Sequence, residues 1–264
     1  MKWYTIFCVA VIYFSYLPAQ SQEFGGYQFV SIPGTVHDLA YDAKRNVVYV
    51  SNASGNKIDV INLDTLLIQT SIPVGINPMG MAVTPDCNQL FVTLYGEEKM
   101  SVVDLNTQTE VRKINLPPGL SRNNPLRVDF DAKGTAIWRD GSGSNPYGYL
   151  YSLNLTNDIS SRLLSDQPGG RYGFNMNKSK FIYVVDGAKI SIWDAITQTY
   201  SAPVSLSSYG FSNNWWDWPI EGTINNNGNT LLVCKASTET WVFDQYLQKK
   251  GMINIEMGWG TFGK

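Results

Sequence analysis

Short apolar runs alternate with polar turns along this chain, and their order repeats five times. Each copy has an apolar run, a polar loop, a second apolar run and a turn that opens on Asn or Asp. The central pairs of the first runs are Tyr49-Val50, Phe91-Val92, Ile137-Trp138, Tyr183-Val184 and Leu232-Val233. The second runs end at Asn62, Asp104, Asn154, Asp194 and Asp244, in steps of 42, 50, 40 and 50 residues. Repeats of this length built from short strands predict the blades of a β-propeller.

The pattern predicts an all-β domain over residues 22–264. Within each copy, β-branched and aromatic residues predict four antiparallel strands in a meander, separated by turns rich in Asn, Asp and Gly. The predicted four-stranded blades cover approximately residues 38–75, 80–115, 127–165, 172–206 and 221–257, and residues 27–33 predict an extra outer strand.

Several motifs resemble the YVTN-type propeller repeat. They are Tyr49-Val50-Ser51-Asn52, Val60-Ile61-Asn62, Ser71-Ile72-Pro73-Val74-Gly75 and the segment 77–86. The resemblance is close over residues 31–110 and looser over 125–255. It extends to seven-bladed lactonase-like and quinoprotein-associated propellers. It implies a fold and no catalytic residue, because the motif is structural in that family and a propeller is a scaffold for unrelated functions.

The strand count leaves two architectures open. Residues 27–33 fit the outer-strand position, yet the last copy already has its own outer strand at 251–256. Either five blades close with a spare strand, or the chain is a shortened six- or seven-bladed propeller, which the count favours. The N-terminal strand would then pair loosely outside blade 5 or stay unpaired, and the apolar faces of the end blades would be exposed. Residues expected on those faces are Ile58, Val60, Trp241 and Phe243.

Residues 1–21 predict a secretory signal peptide. Lys2 precedes an apolar run over 5–16, and small residues lead to a cleavage point before Gln22. The alternative is an uncleaved anchor helix, although the run is short for a membrane span. We therefore expect a secreted protein without a membrane span after cleavage. No basic run is present and the formal net charge is −2, which excludes nucleic acid as an expected partner.

Long connections are predicted at one end of the blades only. They are 116–125, 139–148 and 205–219, whereas the turns at the other end are short. Individual loops on a rigid scaffold commonly carry function. The last connection contains Trp215, Trp216 and Trp218, which could form a stacking wall for a sugar ring. The alternative is a hydrophobic plug over the junction of blades 4 and 5.

The entrances of the first strands align on one column, which holds Asp38, Gly80, Arg127, Tyr172 and Glu221. Because the first strand borders the channel of a propeller, these residues are expected to form a ring around its mouth. Asp38, Arg127 and Glu221 could fix a polar ligand, and the carboxylates could hold Ca²⁺. The alternative is a ring of mutually compensating charges. His37 would suit a general base there, with a structural role as its alternative.

Other catalytic and binding patterns are missing from the sequence. The single His has no second His or Cys at a zinc-ligand spacing, and no nucleophile elbow, phosphate loop or dinucleotide fingerprint is present. Glu97-Glu98 is interpreted as a solvated turn, and Cys87 and Cys234 as unpaired. N-glycosylation sequons stand at Asn52, Asn154 and Asn177.

Two functions follow as hypotheses. The first is a secreted module that binds a carbohydrate or protein with its long connections and needs no cofactor. The second is a lactonase-like hydrolase at the channel mouth, with His37, Asp38 and Glu221 as catalytic candidates and Ca²⁺ as its only candidate cofactor. The ligand-binding candidates are Trp215, Trp216, Trp218, Asp38, Arg127, Tyr172 and Glu221.

Overall fold

A computed structural model describes residues 21–24, 27–117, 124–141, 149–163, 172–174, 180–185, 189–212, 219–224, 229–235, 239–244 and 246–254. The chain divides into two compact units, Met1–Asn115 and Leu116–Lys264. Apart from one 3-10 turn at Ser207–Tyr209, every regular element in these ranges is a β-strand. The predicted all-β fold with five four-stranded antiparallel blades is confirmed.

The first unit contains a hairpin and two four-stranded sheets. Sheet 1 has the order β3-β4-β5-β6 and sheet 2 the order β7-β8-β9-β10, so that each is a simple meander. Its strands are β1 (Ser21–Phe24), β2 (Tyr27–Val30), β3 (Val36–Asp42), β4 (Val47–Asn52), β5 (Lys57–Asn62), β6 (Leu67–Pro73), β7 (Pro78–Val83), β8 (Gln89–Leu94), β9 (Lys99–Asp104) and β10 (Thr109–Asn115).

The second unit contains three further meanders, sheets 3, 4 and 5. In sheet 4 the outer strand is interrupted, and its two short pieces, β18 and β19, both pair with β17. The strands are β11 (Pro125–Phe130), β12 (Ala136–Asp140), β13 (Leu150–Asn154), β14 (Ile159–Arg162), β15 (Tyr172–Phe174), β16 (Lys180–Val185), β17 (Lys189–Asp194), β18 (Thr199–Tyr200), β19 (Val204–Ser205), β20 (Pro219–Ile224), β21 (Thr230–Lys235), β22 (Glu239–Asp244) and β23 (Lys249–Asn254).

Apolar side chains between neighbouring sheets form the core of each unit. Tyr49, Ile58 and Val60 of sheet 1 pack with Leu90 and Val92 of sheet 2. In the second unit, Ile137 and Leu150 of sheet 3 pack with Trp193 of sheet 4. Ile190 of sheet 4 packs with Leu231, Trp241 and Phe243 of sheet 5. The inner strands are nearly continuous apolar runs because both faces of a blade are covered.

The Asn or Asp that ends each third strand fixes the turn that follows it. Oδ1 of Asn62 accepts hydrogen bonds from the backbone N–H groups of Asp64 (2.9 Å) and Thr65 (3.0 Å), and Asp104, Asn154, Asp194 and Asp244 accept equivalent bonds. These are Asx turns. Each turn also contains a residue with positive φ: Leu66 (55°), Gln108 (54°), Asp158 (58°), Gln198 (55°) and Leu247 (61°). The repeat period of the sequence is therefore the period of this turn.

Charged side chains at the same end of the sheets connect sheet 1 to sheet 2 and sheet 3 to sheet 4. Arg45 pairs with the buried Asp42 (2.8 Å) and donates to the Cys87 carbonyl (2.6 Å) and to Asn106 Oδ1 (2.5 Å) of sheet 2. In the second unit, Lys133 of sheet 3 donates to the Ile196 carbonyl of sheet 4 (2.6 Å). The turn between the first two strands thus contacts the Asx turn of the following blade in both units.

Two expectations about the ends of the propeller are wrong. The strand predicted at 27–33 forms a hairpin, because β2 pairs with β1 in register from Ser21↔Val30 to Phe24↔Tyr27. Ile58, Val60, Trp241 and Phe243 are buried, because each belongs to a core between two sheets of its own unit. The exposed apolar residues of sheet 1 include Leu39 (62% exposed) and Tyr41 (58%) instead.

None of the described residues forms a helix with the length and apolar composition that a membrane span requires.

Candidate functional site

The first strand of four sheets contains a β-bulge close to its start. The bulges lie between Val36 and Leu39, Pro78 and Met81, Pro125 and Arg127, and Pro219 and Glu221. The residues that align at the entrances of the first strands lie at these bulges. Asp38 and Gly80 lie inside the bulge, and Arg127 and Glu221 directly after it. Bulges redirect side chains at the ends of sheets and are common beside functional sites.

In the first unit the bulge is closed by polar contacts within the protein. Ser51 Oγ accepts the N–H of Asp38 (2.8 Å), and Thr93 Oγ1 accepts the N–H of Gly80 (2.9 Å). Oδ2 of Asp38 accepts the N–H of Met81 in sheet 2 (2.8 Å), and Oδ1 accepts the N–H of Leu39 (2.9 Å). Both carboxylate oxygens of Asp38 are therefore used to hold backbone groups, one of them across two sheets.

In the second unit the hydroxyl beside the bulge is replaced by arginine. Arg127 of β11 is the direct cross-strand partner of Arg139 of β12. Arg139 occupies the place that Ser51 has in sheet 1 and Thr93 in sheet 2, and its side chain is buried, with 7% exposure. Arg127 is half-buried. Sheet 3 thus has two arginines where sheet 1 has Asp38 and Ser51 and sheet 2 has Gly80 and Thr93.

The other face of sheet 3 bears a polar and aromatic group, the sheet 3 cluster, formed by Asp140, Tyr149, Tyr151 and Arg162. Oδ1 of the buried Asp140 accepts the N–H of Tyr149, and Oδ2 lies 3.4 Å from the Tyr151 hydroxyl. The Arg162 guanidinium lies 3.5 Å from the centre of the Tyr149 ring. Tyr151 also stacks on Trp138, with ring centres 4.2 Å apart.

The environment of Tyr151 within this cluster raises the pKa of its hydroxyl. Burial raises the pKa of its hydroxyl to about 12, and the negative charge of Asp140 acts in the same direction. The hydroxyl is therefore a proton donor at neutral pH. Together the cluster offers a cation stacked on an aromatic ring, a phenol and a buried carboxylate, which are groups that recognise polar ligands.

Sequence reasoning did not select the sheet 3 cluster or Arg139. The signal was present in the second strand, where Tyr49-Val50-Ser51-Asn52 of the first copy becomes Ile137-Trp138-Arg139-Asp140. Small neutral groups at the strand end are replaced by two opposite charges. A scan for charged residues at positions that are neutral in the other copies would have found Arg139, whereas the position of Asp140 is charged in two further copies, as Asp186 and Lys235.

The predicted ring around a channel mouth stays a prediction. Asp38 belongs to the first unit, whereas Arg127, Tyr172 and Glu221 belong to the second. Tyr172 and Glu221 lie on β15 and β20, and their side chains are outside the described residues. His37 is exposed on β3.

The connection 206–218 is anchored by its first half. Leu206 and Phe211 are buried in the core between sheets 4 and 5, and Phe211 contacts Trp241 with ring centres 5.9 Å apart. Tyr209 contacts Trp241 (5.9 Å) and Phe243 (5.3 Å). Residues 206–211 therefore plug the junction of the two sheets. Trp215, Trp216 and Trp218, which follow this plug, lie outside the described residues.

The sequons differ in their surroundings. Asn52 is fully buried, and its Nδ2, the atom to which a glycan would be attached, donates to the Pro33 carbonyl (2.7 Å) and to Asp59 Oδ2 (2.8 Å). Because the side chain is buried and both acceptors lie against Nδ2, the folded protein has no space for a sugar there. Asn154 is exposed in an Asx turn. Asn177 lies outside the described residues.

The carboxylate of Glu97, in the connection between β8 and β9, is bonded within the protein. Glu97 accepts the N–H of Ile76 (2.7 Å) and pairs with Lys113 (3.1 Å). Burial alone would raise the pKa of Glu97, but these contacts lower it below its ordinary value. Within the described ranges, no group of three or more His, Cys, Asp or Glu side chains is arranged to hold a metal ion.

Comparisons with known proteins agree with this architecture. Residues 28–126 match the model of the YNCE-like β-propeller family. None of the curated proteins compared with the chain matches it. Two similar solved structures are hydrazine synthase from Kuenenia stuttgartiensis (TM-score 0.60, 14% identity, 78% of this chain and 64% of that chain) and a gluconolactonase from Xanthomonas campestris (0.56, 13%, 84% and 76%).

These similarities establish the fold and not the function. The chain spans 64% of the length of the hydrazine synthase chain, and at 13–14% identity both structures show a common fold only. The family match lies almost entirely in the first unit, where the sequence repeats are closest to the YVTN pattern. The resemblance to YVTN-type and lactonase-like propellers is confirmed, since residues 28–126 of this β-propeller protein match the model of the YNCE-like family.

Proposed function

We propose that the chain is a secreted β-propeller module that binds a carbohydrate at the end of the sheets from which its long connections leave. The observation that carries the proposal is the sheet 3 cluster. In sheet 1 the corresponding end holds Asn52 and Asp59, which are buried and bonded to each other. In sheet 3 it holds a stacked Arg162–Tyr149 pair of which both members reach the surface.

The lengths of the connections in the second unit also favour this end of the sheets as the binding surface. In the first unit, residues 53–56, 74–77 and 95–98 join strands at this end and are short. In the second unit, the corresponding connections include 116–124, 141–149, 163–171 and 206–218. Connections much longer than a tight turn are commonly functional in a compact domain. The connection 141–149 follows Asp140 directly and ends at Tyr149, so it begins and ends beside the sheet 3 cluster.

Carbohydrate is the ligand class that this chemistry favours. Sugar rings present apolar C–H faces that stack on aromatic side chains, and hydroxyl groups that bond to carboxylates, phenols and guanidinium groups. Tyr149 and Arg162 offer the stacking surface and a cation, and the buried Asp140 holds Tyr149 in place by accepting its N–H. Trp215, Trp216 and Trp218 of the connection 206–218 are further candidates for stacking on a sugar ring.

A glycan array probed with the intact chain tests the proposal. Binding to a defined set of glycans is expected, together with a loss of at least tenfold when Trp215, Trp216 and Trp218 are all replaced by Ala or when Arg162→Gln is introduced. Circular dichroism and thermal unfolding confirm that the variants are folded. An array without any bound glycan would reject carbohydrate as the ligand and leave a protein partner as the function to be sought by cross-linking.

Secretion is part of the proposal and has its own test. Expression of the full chain in a secreting host is expected to release a protein that begins at Gln22, which N-terminal sequencing would show. Retention of residues 1–21 in a membrane fraction would instead support an anchor helix. Strand β1 begins at Ser21, which pairs with Val30. Cleavage before Gln22 would therefore remove the first residue of the N-terminal hairpin and keep the rest.

The second candidate function is a lactonase-like hydrolase. It is favoured by the structural similarity to the Xanthomonas campestris gluconolactonase. Its carboxylates would be Asp38 and Glu221, with His37 as a general base and Ca²⁺ as a candidate cofactor. Asp38 weakens this candidate, because both of its carboxylate oxygens accept backbone N–H groups. Hydrolysis of glucono-δ-lactone, with and without Ca²⁺, would decide: turnover abolished by Glu221→Gln supports the hydrolase.

A further inference from the structure

We propose that Asn154 is an N-glycosylation acceptor that the fold leaves open, whereas folding closes the sequon at Asn52. The inference rests on the secretion proposed above, because N-linked glycans are attached to secreted chains. It adds a modification site at the end of sheet 3 opposite the connection 141–149.

The sequon at Asn154 comes from a departure of the third copy from the repeat. In the first, second and fourth copies, Thr stands three residues after the Asn or Asp of the turn, as Thr65, Thr107 and Thr197. In the third copy, Thr156 follows Asn154 by two residues, which is the spacing that N-glycosylation requires. Of the five Asx turns, this one alone has an Asn with Ser or Thr at that spacing.

The Asx turn uses the side-chain oxygen of Asn154 and leaves its nitrogen available. Oδ1 accepts the N–H of Thr156 (2.9 Å), and the Asn154 carbonyl accepts the N–H of Asp158 (2.9 Å). Among the residues that the structure describes, Nδ2 of Asn154 has no acceptor. The side chain is therefore held in place by the turn while the atom that would be modified is not engaged.

The surface around Asn154 has space for a glycan. Asn154 is exposed, and Leu155 beside it is 37% exposed. Ile159, its direct partner across β13 and β14, is 59% exposed, and such partners have Cβ atoms about 4.5–5.5 Å apart. A sugar on Nδ2 would therefore meet solvent-accessible apolar surface rather than a packed core. Because N-linked glycans are bulky and solubilising, it would also cover that surface.

The sequon at Asn52 has the opposite environment. Asn52 is 0% exposed, and its Nδ2 donates to the Pro33 carbonyl (2.7 Å) and to Asp59 Oδ2 (2.8 Å). A glycosylated amide nitrogen keeps one hydrogen only, so at least one of these buried acceptors would lose its donor. Folding and glycosylation at Asn52 therefore exclude each other, and the folded chain should be unmodified there.

The modification is a group transfer to Nδ2 of Asn154. The co-reactant is an oligosaccharide linked through C1 of its first sugar to a polyisoprenyl pyrophosphate, which the secretory pathway of the host supplies. The bond between C1 and the phosphate oxygen breaks, and a bond between C1 and Nδ2 forms. Nδ2 loses one proton, and the polyisoprenyl pyrophosphate leaves.

A glycan at Asn154 is compatible with the proposed binding surface. Tyr149 directly precedes β13, and Asn154 is its last residue. With a rise of about 3.3 Å per residue, the Cα atoms of the two residues lie roughly 17 Å apart at opposite ends of the strand. The modified end of sheet 3 is therefore distinct from the end that holds the sheet 3 cluster.

Expression of the full chain in a eukaryotic secreting host tests the inference. The secreted protein is checked for folding by thermal unfolding and then treated with peptide-N-glycosidase in heavy-oxygen water, which converts each glycosylated Asn to an isotopically labelled Asp. Mass spectrometry of the peptides reads each sequon separately. We expect the label at position 154 in most molecules and at position 52 in none.

Two variants of Thr156 separate the sequon from the turn. Thr156 is exposed, and within the described ranges its hydroxyl makes no hydrogen bond. Thr156→Ala should abolish the label at position 154, and Thr156→Ser should retain it, because only Ser keeps the sequon. Both variants keep the N–H that Asn154 Oδ1 accepts, so we expect the same unfolding temperature as for the unchanged chain.

Either of two results would overturn the inference: a folded, secreted chain that is unmodified at Asn154, or one that is glycosylated at Asn52. A second version, with the host's own signal peptide before Gln22, enters the secretory pathway whatever residues 1–21 do. Secretion of this version alone would reject the secretion proposed for the natural chain. The label at positions 154 and 52 is then read on this version, with the same two contradicting results.

Discussion

The two units are built from the same repeat but use its polar positions differently. In the first unit, Asp38, Asn52 and Asp59 all face inward and bond to backbone or to each other. In the second unit, the matching strand ends carry Arg127, Arg139 and Asp140, and the connections beyond them are longer. Polar groups satisfied by the backbone stabilise a scaffold, whereas a cation and an aromatic ring that reach the surface, as Arg162 and Tyr149 do, can contact a ligand. Under the proposed function, the first unit is the scaffold and the second unit carries recognition.

The largest expected loss of stability comes from Phe211, which packs between sheets 4 and 5 of the second unit. Phe211→Ala removes a ring that is 1% exposed and packs on Trp241, so we expect a loss of about 3–5 kcal/mol in the free energy of unfolding. Urea unfolding measures the loss, and hydrogen exchange of the intact chain locates it. Protection should fall at sheets 4 and 5 and persist in the first unit. Ser208→Ala, an exposed change in the same turn, is the control; a similar loss there would contradict the assignment.

The matching change in the first unit removes the buried Asp42. Asp42→Ala leaves the Arg45 guanidinium, whose side chain is 18% exposed, without its ion pair and the Tyr49 hydroxyl without its acceptor. We expect the free energy of unfolding to fall by about 3 kcal/mol. Thermal and urea unfolding measure the change.

Its control is Asp64→Ala, which removes a carboxylate from an exposed turn and should cost far less. Hydrogen exchange should place the loss caused by Asp42→Ala at sheets 1 and 2. A cost no greater than that of Asp64→Ala would show that the link between the two sheets is not structural.

As the pH is lowered, the first unit should unfold before the second. Hydrogen bonds from the N–H groups of Thr107 and Asn106 lower the pKa of Asp104. Burial would raise the pKa of Asp59, but bonds from Lys57, Ser71 and Asn52 together lower it. A carboxyl with a lowered pKa stabilises the fold above its unfolded value and loses that contribution as pH falls through the folded value, here below about 4.

Pulsed hydrogen exchange after equilibration between about pH 6 and pH 2.5 checks this order. In the second unit the pKa of Asp244 is lowered, mainly through the Lys250 side chain, whereas in the first unit the pKa values of Asp59, Asp86, Glu97 and Asp104 are all lowered. Peptides of sheets 1 and 2 should therefore lose protection first. Earlier opening of sheets 3 to 5 would mean that carboxylates do not stabilise the two units unequally.

The smallest effect is expected at the Asx turns, which both units share. Asn62→Ala deletes the acceptor of two backbone N–H groups and should cost about 1 kcal/mol. Asn62→Asp keeps the acceptor, as Asp104 and Asp194 do in their own turns, and should be close to neutral. Thermal unfolding distinguishes the two. Equal costs for Ala and Asp would show that the side-chain acceptor is not what fixes the repeat.

Periodicity made the architecture predictable from sequence. The positions at Asn62, Asp104, Asn154, Asp194 and Asp244 could be aligned because each must accept backbone hydrogen bonds at the same point of the blade, and few residue types can do so. The meander order followed from short turns, since a tight turn joins only neighbouring antiparallel strands.

Contacts between residues distant in the sequence were not predictable in the same way. Asn52 is a sequon by pattern, but it is buried because β4 ends under Pro33 and beside Asp59. Residues 27–30 resemble an outer strand, yet β1 offers a nearer partner than any blade. Arg139 meets Arg127 only because a bulge after Pro125 shifts the register, and a bulge leaves no clear periodic signal.

The central claim, recognition by the second unit on a scaffold formed by the first, is tested most directly by two matched variants on one glycan array. Tyr149 and Lys57 occupy the same place of the repeat, five residues before the Asn that ends the third strand. The account predicts that Tyr149→Ala reduces glycan binding at least tenfold, since the ring under Arg162 is lost, and that Lys57→Ala leaves it unchanged. Equal losses in both variants, or a loss confined to Lys57→Ala, would contradict it.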